Sequence, residues 1–151
     1  MRRPRGASKF TRIGIPLPGG FRGVQSTFLY ALPAPSREVR LLIRDGSGGY
    51  GVWVSRSFDG GAHWQTATLV PGTTDAGFVD SGHLQDVAGV VTGLAGTRTG
   101  NASMRIPSAL TLPTISPLPG GLNPTGAVQG SSGPVFAIGF GPNLATVGWA
   151  A

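Results

Sequence analysis

Two histidines and six acidic residues are the chain's means of moving protons or holding a metal, and it has no cysteine. The acids are Glu38, Asp45, Asp59, Asp75, Asp80 and Asp86. Asp80-Ser81-Gly82-His83 brings a carboxylate, a hydroxyl and an imidazole close together in sequence. A hydrolase made from such groups needs its serine on a strained turn, an oriented imidazole and an oxyanion hole. Ser81 is too near His83 to serve as its nucleophile, and no G-x-S-x-G occurs. The pattern reads as a loop histidine beside a turn aspartate. Asp59 and His63 form the second pairing, but a metal site calls for about four convergent ligands. Without cysteine, thiolate metal sites, thiol nucleophiles and disulfides are excluded. Phosphate-binding G-x-x-x-x-G-K-[ST] is absent, and Gly46-Ser47-Gly48 has no following helix to make a nucleotide loop. The expectation is no catalytic residue, no metal and no cofactor.

Asp59 and His63 belong to the most specific stretch of the chain, Ser55 to Trp64. Ser57, Asp59, Gly61 and Trp64 fall at the spacing S-x-D-x-G-x-x-W. Val52-Trp53-Val54 runs up one strand and Trp64-Gln65-Thr66 begins the return. Asp59 can accept from turn amides as Asx-turns do, and Gly60 and Gly61 supply positive φ at no steric cost. Trp64 can cover the hairpin and send its indole N–H to a backbone carbonyl. This spacing resembles the Asp-box, a hairpin motif repeated in sialidase-type β-propellers and found singly in other β-proteins. The resemblance implies a structural turn at Ser57, Asp59, Gly61 and Trp64. It does not bring the sialidase activity with it. That activity would need an arginine cluster, a tyrosine with a glutamate partner, and an acid. The lone glutamate, Glu38, sits among strand arginines, and the tyrosines are Tyr30 and Tyr50. A propeller needs several blades of about four strands, and this chain has strands for barely two.

The elements around the turn read as all-β, a small antiparallel β-sandwich or barrel. Gln25 to Leu32 is apolar on both faces and reads as a central strand. Arg37 to Arg44 alternates, with Val39, Leu41 and Ile43 on one face and Glu38, Arg40 and Arg44 on the other, as a half-buried strand does. Leu42 breaks the polar face. Asp45 to Gly49 is a turn, Tyr50 to Ser55 a strand, and Trp64 to Val70 the next. Residues 37–70 therefore read as a three-stranded antiparallel meander inside a β-core spanning 25–105. Leu84 to Leu94 reads as one strand and Ala95 to Ser103 as a loop. Residues 106–151 form a Pro/Gly-rich C-terminal third closed by an apolar hairpin. Pro117 to Gly121 repeats Pro16 to Gly20 letter for letter.

The net charge of +6 is unevenly distributed. Residues 1–24 read as an extended N-terminal arm, carrying Arg2, Arg3, Arg5, Lys9 and Arg12, and suit contact with an acidic neighbour. Nucleic acid is a second possible contact for the arm, in a weak, salt-sensitive and non-specific manner. Residues 106–151 contain no Asp, Glu, Lys or Arg. Surfaces normally carry charge of both signs, so such a segment belongs against a core or a neighbouring subunit. No run of 18 apolar residues spans a membrane. Ile13 to Leu17 is too short, and too broken by proline, for the apolar part of a signal peptide.

Arms and uncharged tails are entropically costly to order alone, which points to a non-enzymatic structural subunit of a large assembly. In overall style the chain resembles minor structural proteins of tailed bacteriophages: a capsid decoration (cement) protein, or a neck or tail component. The resemblance implies other copies of itself and capsid or tail subunits as partners. It also implies the virion as its location, with secreted or cytoplasmic placement as alternatives. The alternative function is a carbohydrate-binding β-module built around the hairpin, with Tyr50 and Trp53 as its ligand face. An exposed Trp53 flanked by polar side chains would favour that alternative, and a Trp53 buried in the sheet would count against it.

Overall fold

The computed structural model describes residues 12–21, 23–46, 50–79, 82 and 84–118, and the backbone of 123–129, 135–140 and 146–150. The fold is all-β, and every pairing among the described strands is antiparallel. β1 (Val24–Ala31), β2 (Val39–Asp45), β3 (Trp53–Ser57) and β4 (Thr68–Leu69) form a four-stranded sheet in that order. β5 (Ala76–Phe78), β6 (Leu84–Val87), β7 (Val90–Thr97), β8 (Gly100–Ile106) and β9 (Thr114–Pro117) form a second sheet. There β7 pairs β8 along one side, while β6 and β5 share its other side in succession. β10 (Asn123–Gln129), β11 (Val135–Phe140) and β12 (Thr146–Ala150) form a third sheet, and the backbone of β10 comes near β7.

The first two sheets pack face to face. Tyr30, Leu42 and Val54 from the first meet Phe78, Leu84, Val91, Ala95, Ala102, Met104 and Ile106 from the second, with Val52 and Val70 beside them. Period-two alternation places each set on one face. The sheets are also tied by backbone, since the Gly51 amide donates to Ala76 O at 3.0 Å. Buried Thr73 accepts from the Val52 amide at 3.0 Å and donates to Val70 O at 2.8 Å, so its hydroxyl is satisfied inside.

The alternation of β2 holds, but its orientation is the reverse of the simple reading. Arg40, Leu42 and Arg44 face the second sheet, and Val39, Leu41 and Ile43 face outward. Leu42 pairs with Val54 across the ladder and both are buried. The arginines beside it reach the opposite sheet, where Arg40 donates to Ser108 O and Arg44 to Phe78 O and Val79 O. A charged side chain tolerates burial when its protons find acceptors. Backbone carbonyls serve Arg40 and Arg44 and Glu38 serves Arg40, while buried Arg44 Nε is left without one.

β1 is likewise not central: within the four-stranded sheet it is an edge, paired only with β2 among the described strands. Apolar residues on both faces report cover above and below a strand and are silent about its lateral neighbours. Leu84 to Leu94 is a hairpin, because Ala88 (φ 53°) and Gly89 (φ 81°) turn the chain between β6 and β7. The positive φ favours glycine at position 89, where a Cβ would also displace the flexible end of Leu32, 2.5 Å away. Residues 95–103 are strand for most of their length, with Arg98 and Thr99 forming the turn between β7 and β8.

Candidate functional site

The loop from β3 to β4 is organised by Asp59. Its Oδ1 accepts from the Ala62 amide at 2.9 Å, the His63 amide at 3.0 Å and the Ser57 hydroxyl at 2.8 Å. Its Oδ2 lies 2.6 Å from His63 Nδ1. Ser57 Oγ also accepts from the Gly61 amide at 2.8 Å. Gly60 and Gly61 take φ of 72° and 91°, which bends the chain so that these amides converge. The Trp64 indole N–H donates to Gly61 O at 3.2 Å. The His63 amide, then its ring, then the Ser57 hydroxyl hold the Asp59 carboxyl well below the usual carboxylate range. Ser57 Oγ is thereby occupied as both donor and acceptor and has no proton to give a base.

Trp64 separates two concavities. On one side Arg56, Phe58, Asp59, His63 and Gln65 line a surface cleft of about 270 Å³. Phe58 is 50% exposed, with the Arg56 guanidinium 4.7 Å from its ring centroid. On the other side an apolar groove of about 310 Å³ runs between Ile13, Ile15, Leu29, Val39, Leu41 and Trp64. Ile13 and Ile15 come from the arm, which lies on the outer face of the first sheet. It is held there by the Ala67 amide donating to Pro16 O at 3.0 Å, and by Phe21 standing edge-on to Trp53 at 5.3 Å.

Beneath β3 lies a buried polar cluster. Glu38 Oε1 accepts from Arg40 Nε at 2.7 Å and Arg56 Nε at 2.6 Å. Burial alone would raise the Glu38 carboxyl, but the hydrogen bonds from Arg56 and Arg40 outweigh it and hold it below its ordinary value. Tyr30, opposite Arg40 in the ladder, is pushed up by burial, which the neighbouring Arg40 partly offsets. Arg56 reaches the surface cleft, where its side chain is 37% exposed, while Glu38 and Arg40 stay buried and act as a structural brace.

The structure brings Ser57, Asp59, Gly61 and Trp64 together, and separates Tyr50 from Trp53. Trp53 is half-buried on the outer face between Ile43 and Leu69, under Phe21. Tyr50 leans toward the second sheet, donating to Thr97 O at 3.3 Å with Arg98 over its ring. They form no shared platform. Arg12 is exposed. Arg2, Arg3, Arg5, Lys9, Asp80, Ser81 and His83 lie outside the described residues. Phe58, Arg56 and Gln65, which line the cleft, escape a reading by motif. The signal for the first two is their i, i+2 spacing, which sets them on one face at the end of β3. Among the described residues no three of His, Asp and Glu converge as metal ligands.

No protein-family model, curated protein or solved structure matches the chain.

Proposed function

We propose that the protein is a non-enzymatic structural subunit of a large assembly, of the kind that decorates or joins a bacteriophage capsid, neck or tail. The observation that carries this reading is the outer face of the first sheet. A sheet apolar on both faces needs cover on both. The inner face has the second sheet. The outer face, with Leu29, Val39, Leu41, Ile43 and Trp53, is met among the described residues by the thin arm and the Trp64 loop. Ile43 is only 1% exposed there, but Leu29 is 61% exposed and lines an open groove with Ile13 and Ile15 of the arm. A neighbouring subunit completes such a surface, and the basic arm suits an acidic one. Light scattering after size exclusion, with limited proteolysis of the same sample, tests this. A defined oligomer, or a monomer that loses both ends while residues near 25–105 survive, is expected. A compact monomer resistant along its whole length would overturn the proposal.

The surface cleft favours one second reading, a carbohydrate-binding module. Half-exposed Phe58 offers an aromatic face, and Gln65 and His63 offer polar groups at its rim, as saccharide recognition requires. Tyr50 and Trp53 are poorly arranged for that role. Saturation of this cleft by simple sugars in a chemical-shift titration, abolished by Phe58→Ala, would move the assignment to this module.

A further inference from the structure

We infer that β1 is a self-association edge, through which two copies of the chain pair antiparallel about a two-fold axis at Leu29. This deepens the assembly reading and rests on it. The Leu32 amide donates to Glu38 O at 3.0 Å on the β2 side. Bonding partners alternate along an antiparallel ladder, so Phe28 and Tyr30 also turn their backbone groups toward β2, in register with Leu42 and Arg40. Thr27, Leu29 and Ala31 turn their amides and carbonyls to the edge that no described strand covers, and all three are exposed.

Proteins guard such edges with lysine, proline, an inward charge or a short strand. Here the strand is eight residues long and none of them is charged or proline. Residues 23–36 carry no charge at all in a chain of net +6. Two copies of this cationic protein therefore repel over much of their surface and least along this stretch. An antiparallel edge is self-complementary, so pairing with its own copy closes as an isologous dimer. With Leu29 opposite Leu29 of the second copy, Thr27 faces Ala31 in both directions. All three pairs are of the hydrogen-bonded kind, giving roughly six backbone bonds, two for each pair. The register leaves out the irregular start of the strand at Val24 and Ser26. It also keeps the outer faces of both sheets on one side. The two exposed Leu29 side chains then cover each other at the mouths of the two grooves.

Light scattering of the full chain, from micromolar to millimolar concentration, tests the pairing with three variants. Leu29→Arg places like charges at the axis. Leu29→Pro removes an edge donor without touching a bond to β2, the position where a strand tolerates proline. Leu112→Arg adds the same charge at another exposed leucine, 72% exposed and in the loop before β9. The wild type is expected to reach twice the monomer mass. Leu29→Arg and Leu29→Pro should each raise the dissociation constant at least about tenfold, with Leu112→Arg unchanged. Circular dichroism verifies that the variants stay folded. A monomer that loses its ends to protease, or an oligomer indifferent to both Leu29 variants, overturns the edge pairing and leaves the assembly reading standing. A protease-resistant monomer overturns both.

Discussion

Glu38 and Asp59 perform the same local task in opposite surroundings. Each gathers several donors onto one carboxylate, and each is held below the ordinary carboxylate range. Glu38 does so between the sheets with Arg40 and Arg56, where its side chain is 9% exposed and that of Arg40 is 4%. Asp59 does so at the surface, facing a histidine side chain that is 92% exposed. Burial decides what breaking each one costs. Removing Glu38 strands a buried guanidinium with no water to replace the carboxylate. Removing Asp59 leaves amides that water can reach. The buried cluster thus fixes how the sheets meet, while the exposed one shapes a loop and the cleft beside it.

Four expectations break or sharpen this contrast. The largest is for Glu38→Ala, which should destabilise the fold by about 3–5 kcal/mol in urea titration, as for other buried ion pairs that lose one partner. A change no greater than that of a surface substitution would mean the cluster is solvated. Second comes the pH dependence of the same pair. The folded Glu38 pKa is depressed from 4.5, so its stabilisation is present above that value and is lost as pH falls through the folded pKa. Asp86 is raised by burial and has the opposite sign, favouring the folded state as pH falls. The measurement is therefore a difference: the stability gap between wild type and Glu38→Gln should narrow steadily below about pH 4.5.

Third is Asp59→Ala, with a smaller loss of stability than Glu38→Ala and a local signature. The Ala62 and His63 amides, freed of their acceptor, should exchange with solvent about tenfold faster while amides of β2 hold. Exchange rising equally in β2 would make the turn part of the global unfolding unit, and the contrast would fail. The smallest effect is expected of His63→Ala. It removes an exposed ring yet keeps the backbone amide that Asp59 accepts, so the urea midpoint should stay within experimental error.

The Asp59 turn was legible from sequence because all its partners lie within a few residues. The spacing of Ser57, Asp59, Gly61 and Trp64 fixes which amides a short side chain can reach. The Glu38 cluster was not legible, although Glu38, Arg40 and Arg56 were all in view. Alternation assigns Arg40 and Arg44 to one face of β2 and cannot say whether water or another sheet lies beyond it. Carbonyls from Phe78, Val79 and Ser108, far along the chain, make that face an interior. The cleft was half legible: Asp59, His63 and Trp64 belong to the motif, while Phe58 gained its place from stacking with Arg56.

By itself, then, the sequence determined the all-β class, the period-two faces, the tight turns and the meander through β2, β3 and β4. Each depends on φ preference, side-chain reach or neighbouring residues, which are local quantities. Tertiary structure alone decided which face of β2 is inside, that β1 is an edge, and that the arm bearing Ile13 and Ile15 covers the outer face. Those outcomes depend on which surfaces remain for a strand once every other strand has been packed. Such competition for cover is a property of the whole chain and is written in no short stretch of it.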